Sequence, residues 1–340
     1  MRSADLSVLN HYLSPVQALL ATDGITELVV NRPFEVGLET PSGWRWIDSP
    51  ELDPDWLMTL ARTAAALTRQ DITDESPICS TVLPGGERVQ LIIPPVVPSG
   101  TISFTIRKPS VTDKSIDDYA ADGLFEATQL ASQALSSVDQ ELVVLRDAGA
   151  WPAFFRLAVG ARKNILISGA TGSGKTSLAK SLVQLIPPHE RILTIEDSRE
   201  LVVPHRNVVH MVYAKDGQGL AKVCAKDLLE SALRMRPDRI LLQELRDGTA
   251  FFYLRNVNSG HPGSITTVHA NSASGAFEQL TLLVKESEGG RDLARDDIRG
   301  LLHSLVDIVV QMRRFGPEGA MPGRYRMTEV YFDPDRLRPH

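Results

Sequence analysis

Gly169-Ala170-Thr171-Gly172-Ser173-Gly174-Lys175-Thr176 fits the pattern G-x-x-x-x-G-K-[ST] without a mismatch. Glycines at this spacing let the backbone close around an anion, so that successive N–H groups and a helix N-terminus face phosphate. In that chemistry Lys175 reaches the β- and γ-phosphates of ATP, and the Thr176 hydroxyl is a ligand for Mg2+. The flanks agree with this reading. Asn164-Ile165-Leu166-Ile167-Ser168 has the pattern of a short buried strand. Leu178, Ala179, Leu182, Val183 and Ile186 recur at helical spacing until Pro187-Pro188. A strand, a glycine loop and a helix in this order separate a phosphate-binding loop from a glycine-rich connector.

From residue 164 onward, apolar strands alternate with helices, the pattern of an α/β unit with a mostly parallel sheet covered by helices. Strands are expected at 164–168, 191–195, 208–212, 239–242 and 264–268. Ligands bind at the carboxyl ends of such strands. Glu196 and Asp197 follow the second strand, where Glu196 can orient or deprotonate a water and Asp197 can hold the loop or assist the metal; the same run also reads as a cap with surface charges. Ile240-Leu241-Leu242-Gln243-Glu244 is an apolar strand ending in a carboxylate, with Gln243 where many phosphate-loop proteins carry aspartate. Glu244 then acts on the metal's water shell or on the attacking water. His269 ends the fifth strand and is placed to sense a γ-phosphate, whereas His261 at a Gly/Pro turn reads as structural. No second and third ligand stand at the spacing that zinc needs.

The positioning elements come from the rest of the chain. Residues 1–107 read as an α+β N-terminal domain: an amphipathic first helix with Pro15 as a break, a meander over 25–47, a helix carrying Trp56, Leu57, Leu60, Ala61, Ala64 and Leu67, and strands at 87–93 and 101–106. Arg88 follows a Pro-Gly-Gly turn and Arg107 ends the last strand; each alone reads as a surface charge. Pro109 to Asp113 opens a linker with weak helical patterning over 108–160, Leu130 and Leu142 included, and 161–340 forms the nucleotide-binding domain. The linker is long enough for the two halves to pair within one chain or between neighbours.

Composition narrows the class. The 340 residues hold 43% hydrophobic and 23% charged side chains, an ordinary globular balance. No apolar run approaches the roughly 18 residues of a spanning helix, and the N-terminus lacks a secretory-signal pattern. Cys79 and Cys224 lie far apart, which points to a reducing compartment and excludes a disulfide framework. A formal net charge of −6 gives no footprint for wrapping nucleic acid.

Five stretches in order resemble the hexameric ATPases of bacterial type II and type IV secretion and pilus systems. They are the phosphate loop, the acidic box at 194–200, Leu233-Arg234-Met235-Arg236-Pro237-Asp238, Gln243-Glu244-Leu245-Arg246-Asp247, and the histidine box at 259–271. The residues at 204–209, at 249–251 and at 103–109 are most similar to the type IV secretion and conjugation ATPase that docks on the inner-membrane channel. The resemblance implies a RecA-like P-loop domain and a homo-hexamer with Glu196 and Glu244 serving hydrolysis. It further implies His269 as γ-phosphate sensor, with Arg88 and Arg107 reaching the nucleotide from the N-terminal domain. Inner-membrane channel proteins are the implied partners, at the cytoplasmic face of the bacterial inner membrane. A pilus assembly or retraction motor, a nucleic-acid motor and a nucleotide-gated scaffold are the alternatives.

Overall fold

The computed structural model describes residues 3–109, 114–128, 135–214, 219–316 and 324–337. Most of the expected linker opening, 110–113, and Leu130 lie outside them. Helix α1 (Ser3–Leu20) is followed by β1 (Glu27–Val30), β2 (Glu35–Thr40), β3 (Gly43–Asp48), α2 (Pro54–Leu67), β4 (Ile78–Val82), β5 (Arg88–Ile92) and β6 (Ser103–Arg107). These strands form one antiparallel sheet in the order β3-β2-β1-β6-β5-β4. Asp53 caps α2 by accepting the Trp56 N–H at 2.8 Å, and Pro54 opens the first turn, where a missing N–H costs nothing. Helix α1 does not break at Pro15 but runs through it. Leu13 and Val16 are buried on either side of the proline, and that burial outweighs its local cost. Strand β4 was not expected, because Ile78-Cys79-Ser80-Thr81-Val82 carries too few apolar residues to declare itself.

Next come α3 (Ile116–Ala121), α4 (Ser137–Asp147), α5 (Trp151–Gly160), β7 (Ile165–Gly169), α6 (Lys175–Val183), β8 (Ile192–Glu196), β9 (Val208–Val212), α7 (Ala225–Ala232), β10 (Arg239–Leu242), α8 (Thr249–Asn258) and β11 (Ile265–Val268). The chain ends in α9 (Ala273–Glu286), α10 (Arg295–Leu305), β12 (Ile308–Arg314) and β13 (Tyr325–Phe332). Strands β9-β8-β10 and β11-β7-β12-β13 are joined by a bridge between Glu244 and Thr267. All pairings here are parallel except the β12–β13 hairpin. Strands β7, β8, β10 and β11 are buried along their whole length, as continuous apolar runs with helices on both faces require. Leu142 of α4 and Phe154, Phe155, Ala158 and Val159 of α5 belong to this second core.

The two sheets meet across a seam with an apolar part, where Ile92, Val96 and Val97 pack among Val209, Met211 and Leu193, and a polar part. Arg191 is fully buried there. Its Nη1 donates to Asn31 Oδ1 at 2.8 Å and Asn207 Oδ1 at 2.5 Å, Nη2 to Thr105 Oγ1 at 3.1 Å, and Nε to the Met235 carbonyl at 2.8 Å. Burial pulls its pKa down to about 9, against the field of Glu27. Around it, Arg206 pairs with Glu35 at 2.9 Å, Arg236 pairs with Glu39, and Val212 N–H donates to the Val96 carbonyl at 2.7 Å. Replacing Arg191 with Met strips donors from several buried acceptors at once. The expected loss is about 1–3 kcal/mol. Urea unfolding should then show separate transitions for the two sheets where the wild type shows one.

Candidate active site

Strand β7 delivers the chain to the phosphate loop, and close backbone packing fixes the loop's shape. Gly169 has φ +154°, and a β-carbon there would stand 2.5 Å from the Met312 carbonyl oxygen of β12. Gly174 has φ +92° at the start of α6, a conformation that glycine alone adopts without strain. Lys175 is 7% exposed. Its Nζ donates to the carbonyls of Gly169 at 2.7 Å and Ala170 at 3.1 Å and lies 3.3 Å from His269 Nδ1. Burial lowers the Lys175 pKa, and the charge of Glu244 works in the other direction.

The carboxyl ends of β8, β10 and β11 bring the remaining groups to this point. Glu244 Oε1 stands 2.7 Å from His269 Nε2, and Glu244 Oε2 accepts from Arg246 Nη2 at 2.5 Å. Arg246 Nη1 also reaches Asp197 Oδ2 at 3.4 Å, so one guanidinium spans the ends of β8 and β10. The hydrogen bond to Glu244 raises the Arg246 pKa. Lys175, His269, Glu244, Arg246 and Asp197 thus form one continuous polar chain. This chain runs along the carboxyl ends of the strands beside the phosphate loop, where charge that develops in phosphoryl transfer can be met by a cation, an imidazole and a carboxylate.

The donor set also fits a hard divalent cation. The Thr176 hydroxyl and Glu244 carboxylate are oxygen donors of the kind Mg2+ prefers. Among the described residues no group of three His, Cys, Asp or Glu side chains stands ready to cage an ion. Ser173 Oγ, in a loop residue 3% exposed, has no hydrogen-bond partner among the described residues.

A family model described as Type II/IV secretion system protein matches residues 52–315. The chain belongs to that family. Type IV secretion system protein VirB11 of Bartonella quintana (strain Toulouse) is 52% identical over 337 residues, covering 96% of this chain and 93% of that protein. The VirB11 protein of Brucella suis biovar 1 is 44% identical over 334 residues, covering 97% and 91%. A crystal structure of the VirB11 ATPase from the Brucella suis type IV secretion system in complex with sulphate superposes with TM-score 0.90 at 42% identity. It covers 97% of this chain and 99% of that one. Within the type II/IV secretion family, the chain is a secretion-system ATPase.

Not every expected site residue of this secretion ATPase reaches the phosphate loop within one chain. Glu196 is 1% exposed and turned into its own loop. Its Oε2 accepts the N–H groups of Glu200 at 2.8 Å and Leu201 at 2.9 Å, and its Oε1 accepts from the Thr194 hydroxyl at 3.0 Å, with His210 alongside. The carboxylate is spent on shaping the acidic box, which leaves Asp197 to face Arg246. Arg88 and Arg107 sit elsewhere again, in a cleft of about 320 Å³ shared with Gln90, Leu233 and Arg234. Arg234 Nη1 donates to Ser80 Oγ at 2.8 Å, and Arg107 pairs with the buried Glu27. Arg234 precedes β10, so this cleft lies at the opposite end of the parallel strands from the loop. His261 stays at its turn, its pKa lowered by burial and offset by the Pro237 backbone.

Arg246 has no role assigned by the sequence pattern; its signal there is an arginine two positions beyond the carboxylate Glu244. Burial pushes the Glu196 carboxyl up in pKa, but His210, the two backbone N–H groups and Thr194 outweigh that and leave it lowered. Its stabilising contribution is therefore whole above the unfolded-state value of 4.5 and lost as pH falls through the lower folded value. Glu196→Gln should cost about 1–3 kcal/mol at pH 7, because an amide N–H2 confronts backbone donors. Urea midpoints of variant and wild type should converge as pH drops below 4.5.

Proposed function

We propose that this ATPase works as a ring, a homo-hexamer, in which each nucleotide lies between the phosphate loop of one copy and the arginine cleft of the next. The observation that carries this reading is the separation within one chain: Lys175, Glu244 and His269 stand together at one end of the strands, and Arg88, Arg107 and Arg234 at the other. An arginine held at the far end reaches a nucleotide only in a neighbouring copy. Closed rings built from one repeated head-to-tail contact supply that neighbour for every site.

In this reading Lys175 and the loop N–H groups hold the β- and γ-phosphates, and Glu244 orients a water and takes its proton. The water oxygen bonds to the γ-phosphorus as the bond to the bridging oxygen breaks, giving ADP and inorganic phosphate. Mg2+, when bound, neutralises phosphate charge, with Thr176 as its protein hydroxyl. His269 senses the γ-phosphate, and Arg88 and Arg107 stabilise charge on the transferring group. Nucleotide closes the joint between copies, and product release reopens it. That motion is passed to proteins of the type IV secretion channel, with the ATPase bound peripherally through them at the cytoplasmic face of the inner membrane. No helix among the described residues is long and apolar enough to cross a membrane, which suits attachment through partners.

Light scattering should give the mass of six chains with Mg2+ and ATP, and a stable single chain would overturn the ring. Glu244→Gln should retain ATP and lose at least about 100-fold in turnover, a typical general-base contribution. Mixing distinguishes sites shared between copies from sites within one chain. Lys175→Ala and Arg107→Ala are each expected to be inactive alone, yet mixed rings should recover phosphate release where an intact loop meets an intact cleft. No recovery in rings shown to be mixed would place the loop and the cleft of each site in the same chain and overturn the shared site.

A further inference from the structure

The far flank of the phosphate loop carries groups that the hydrolysis chemistry does not use. Met312 of β12 pairs with Gly169, so the end of the β12–β13 hairpin stands beside the loop, across it from β11, Glu244 and His269. Tyr325 opens β13 opposite Arg314. A β-carbon on Gly174 would stand 3.1 Å from Tyr325 Cδ1, so the tyrosine ring borders the loop at the start of α6. Yet Tyr325 is 51% exposed, and the next aromatic on the hairpin, Phe315, is 40% exposed. The Arg314 guanidinium carbon lies 5.8 Å from the centre of the Tyr325 ring.

A nucleotide has two ends with different needs. Its γ-phosphate must lie against Lys175, Glu244 and His269, on the β10–β11 side. The rest of the molecule then leads away over the loop, and the flat, uncharged base needs an aromatic or guanidinium face to cover it. The exposed aromatic that borders the loop on the other side is Tyr325.

We propose that Tyr325, flanked by Arg314, is the stacking platform for the purine base of the nucleotide held by the phosphate loop. This rests on the phosphate-loop reading above and adds to it a site for the base. Tyr325 binds by its ring, not its hydroxyl, so phenylalanine serves in its place. Arg314 adds a cationic face and holds the ring by its cross-strand contact. The hydrolytic groups are left unchanged when the platform is removed.

Equilibrium calorimetry with ADP and with inorganic pyrophosphate tests this, since the two share a diphosphate and only one carries a base. Tyr325→Ala should bind ADP about tenfold more weakly, the scale of one base–aromatic stack, while its pyrophosphate affinity stays within twofold of wild type. Tyr325→Phe should restore ADP affinity. Lys175→Ala should weaken both ligands alike. If Tyr325→Ala leaves ADP affinity unchanged while Lys175→Ala abolishes binding, the ring is a surface side chain and the platform is overturned, with the phosphate-loop reading intact. Equal weakening of ADP and pyrophosphate by Tyr325→Ala would also overturn it, assigning the tyrosine to loop shape. If Lys175→Ala binds both ligands as wild type does, the phosphate-loop reading fails first and the platform with it.

Discussion

The arrangement of this protein depends on a cation sealed where two sheets meet. Arg191 sits at the head of β8 with only neutral oxygens against its guanidinium: two Asn amides, a Thr hydroxyl and a carbonyl. A charge taken out of water is costly, and this one is offset by a full set of hydrogen bonds drawn from both domains. Each acceptor comes at a fixed place on β1, β6 or the strand starts of the second sheet. The guanidinium therefore sets an angle as well as an attraction. It ties the antiparallel sheet to the amino ends of β8, β9 and β10.

That placement explains the division of charge. The carboxyl ends of β7, β8, β10 and β11 hold a linked run from Lys175 through His269 and Glu244 to Arg246 and Asp197. The arginine cleft belongs to the seam, and Arg234 is tied across it to Ser80. Opposite ends of one rigid unit thus carry complementary chemistry. In the ring proposed above, the moving joint of the ATPase cycle would fall between copies, with the seam within each one held by Arg191.

Much of this was legible in the residues, and the limits follow from distance along the chain. The phosphate loop, the five parallel strands and the carboxylate ending β10 are local patterns, and each declared itself within about ten residues. Arg246 meeting Asp197 joins positions 49 apart, and a propensity reading of either box carries no trace of it. Arg191 looked like any charge opening a strand; only the closing of the second sheet over it makes it structural. Glu196 follows its strand as expected, but the pattern gave no sign that its own loop supplies two N–H donors to the carboxylate. Tyr325 follows a glycine-rich stretch and gave no signal, because its neighbour Gly174 is 151 positions away by number and adjacent only through the β7–β12 pairing.

The opposed placement of loop and cleft has a consequence for economy in the cell. On the proposed ring, a chain outside it would carry two unlike half-sites and no whole one, holding nucleotide without the arginines of a neighbour. ATP consumption would then track assembled machines and not total protein, and copies waiting for a channel would stay idle with no inhibitor needed to keep them so.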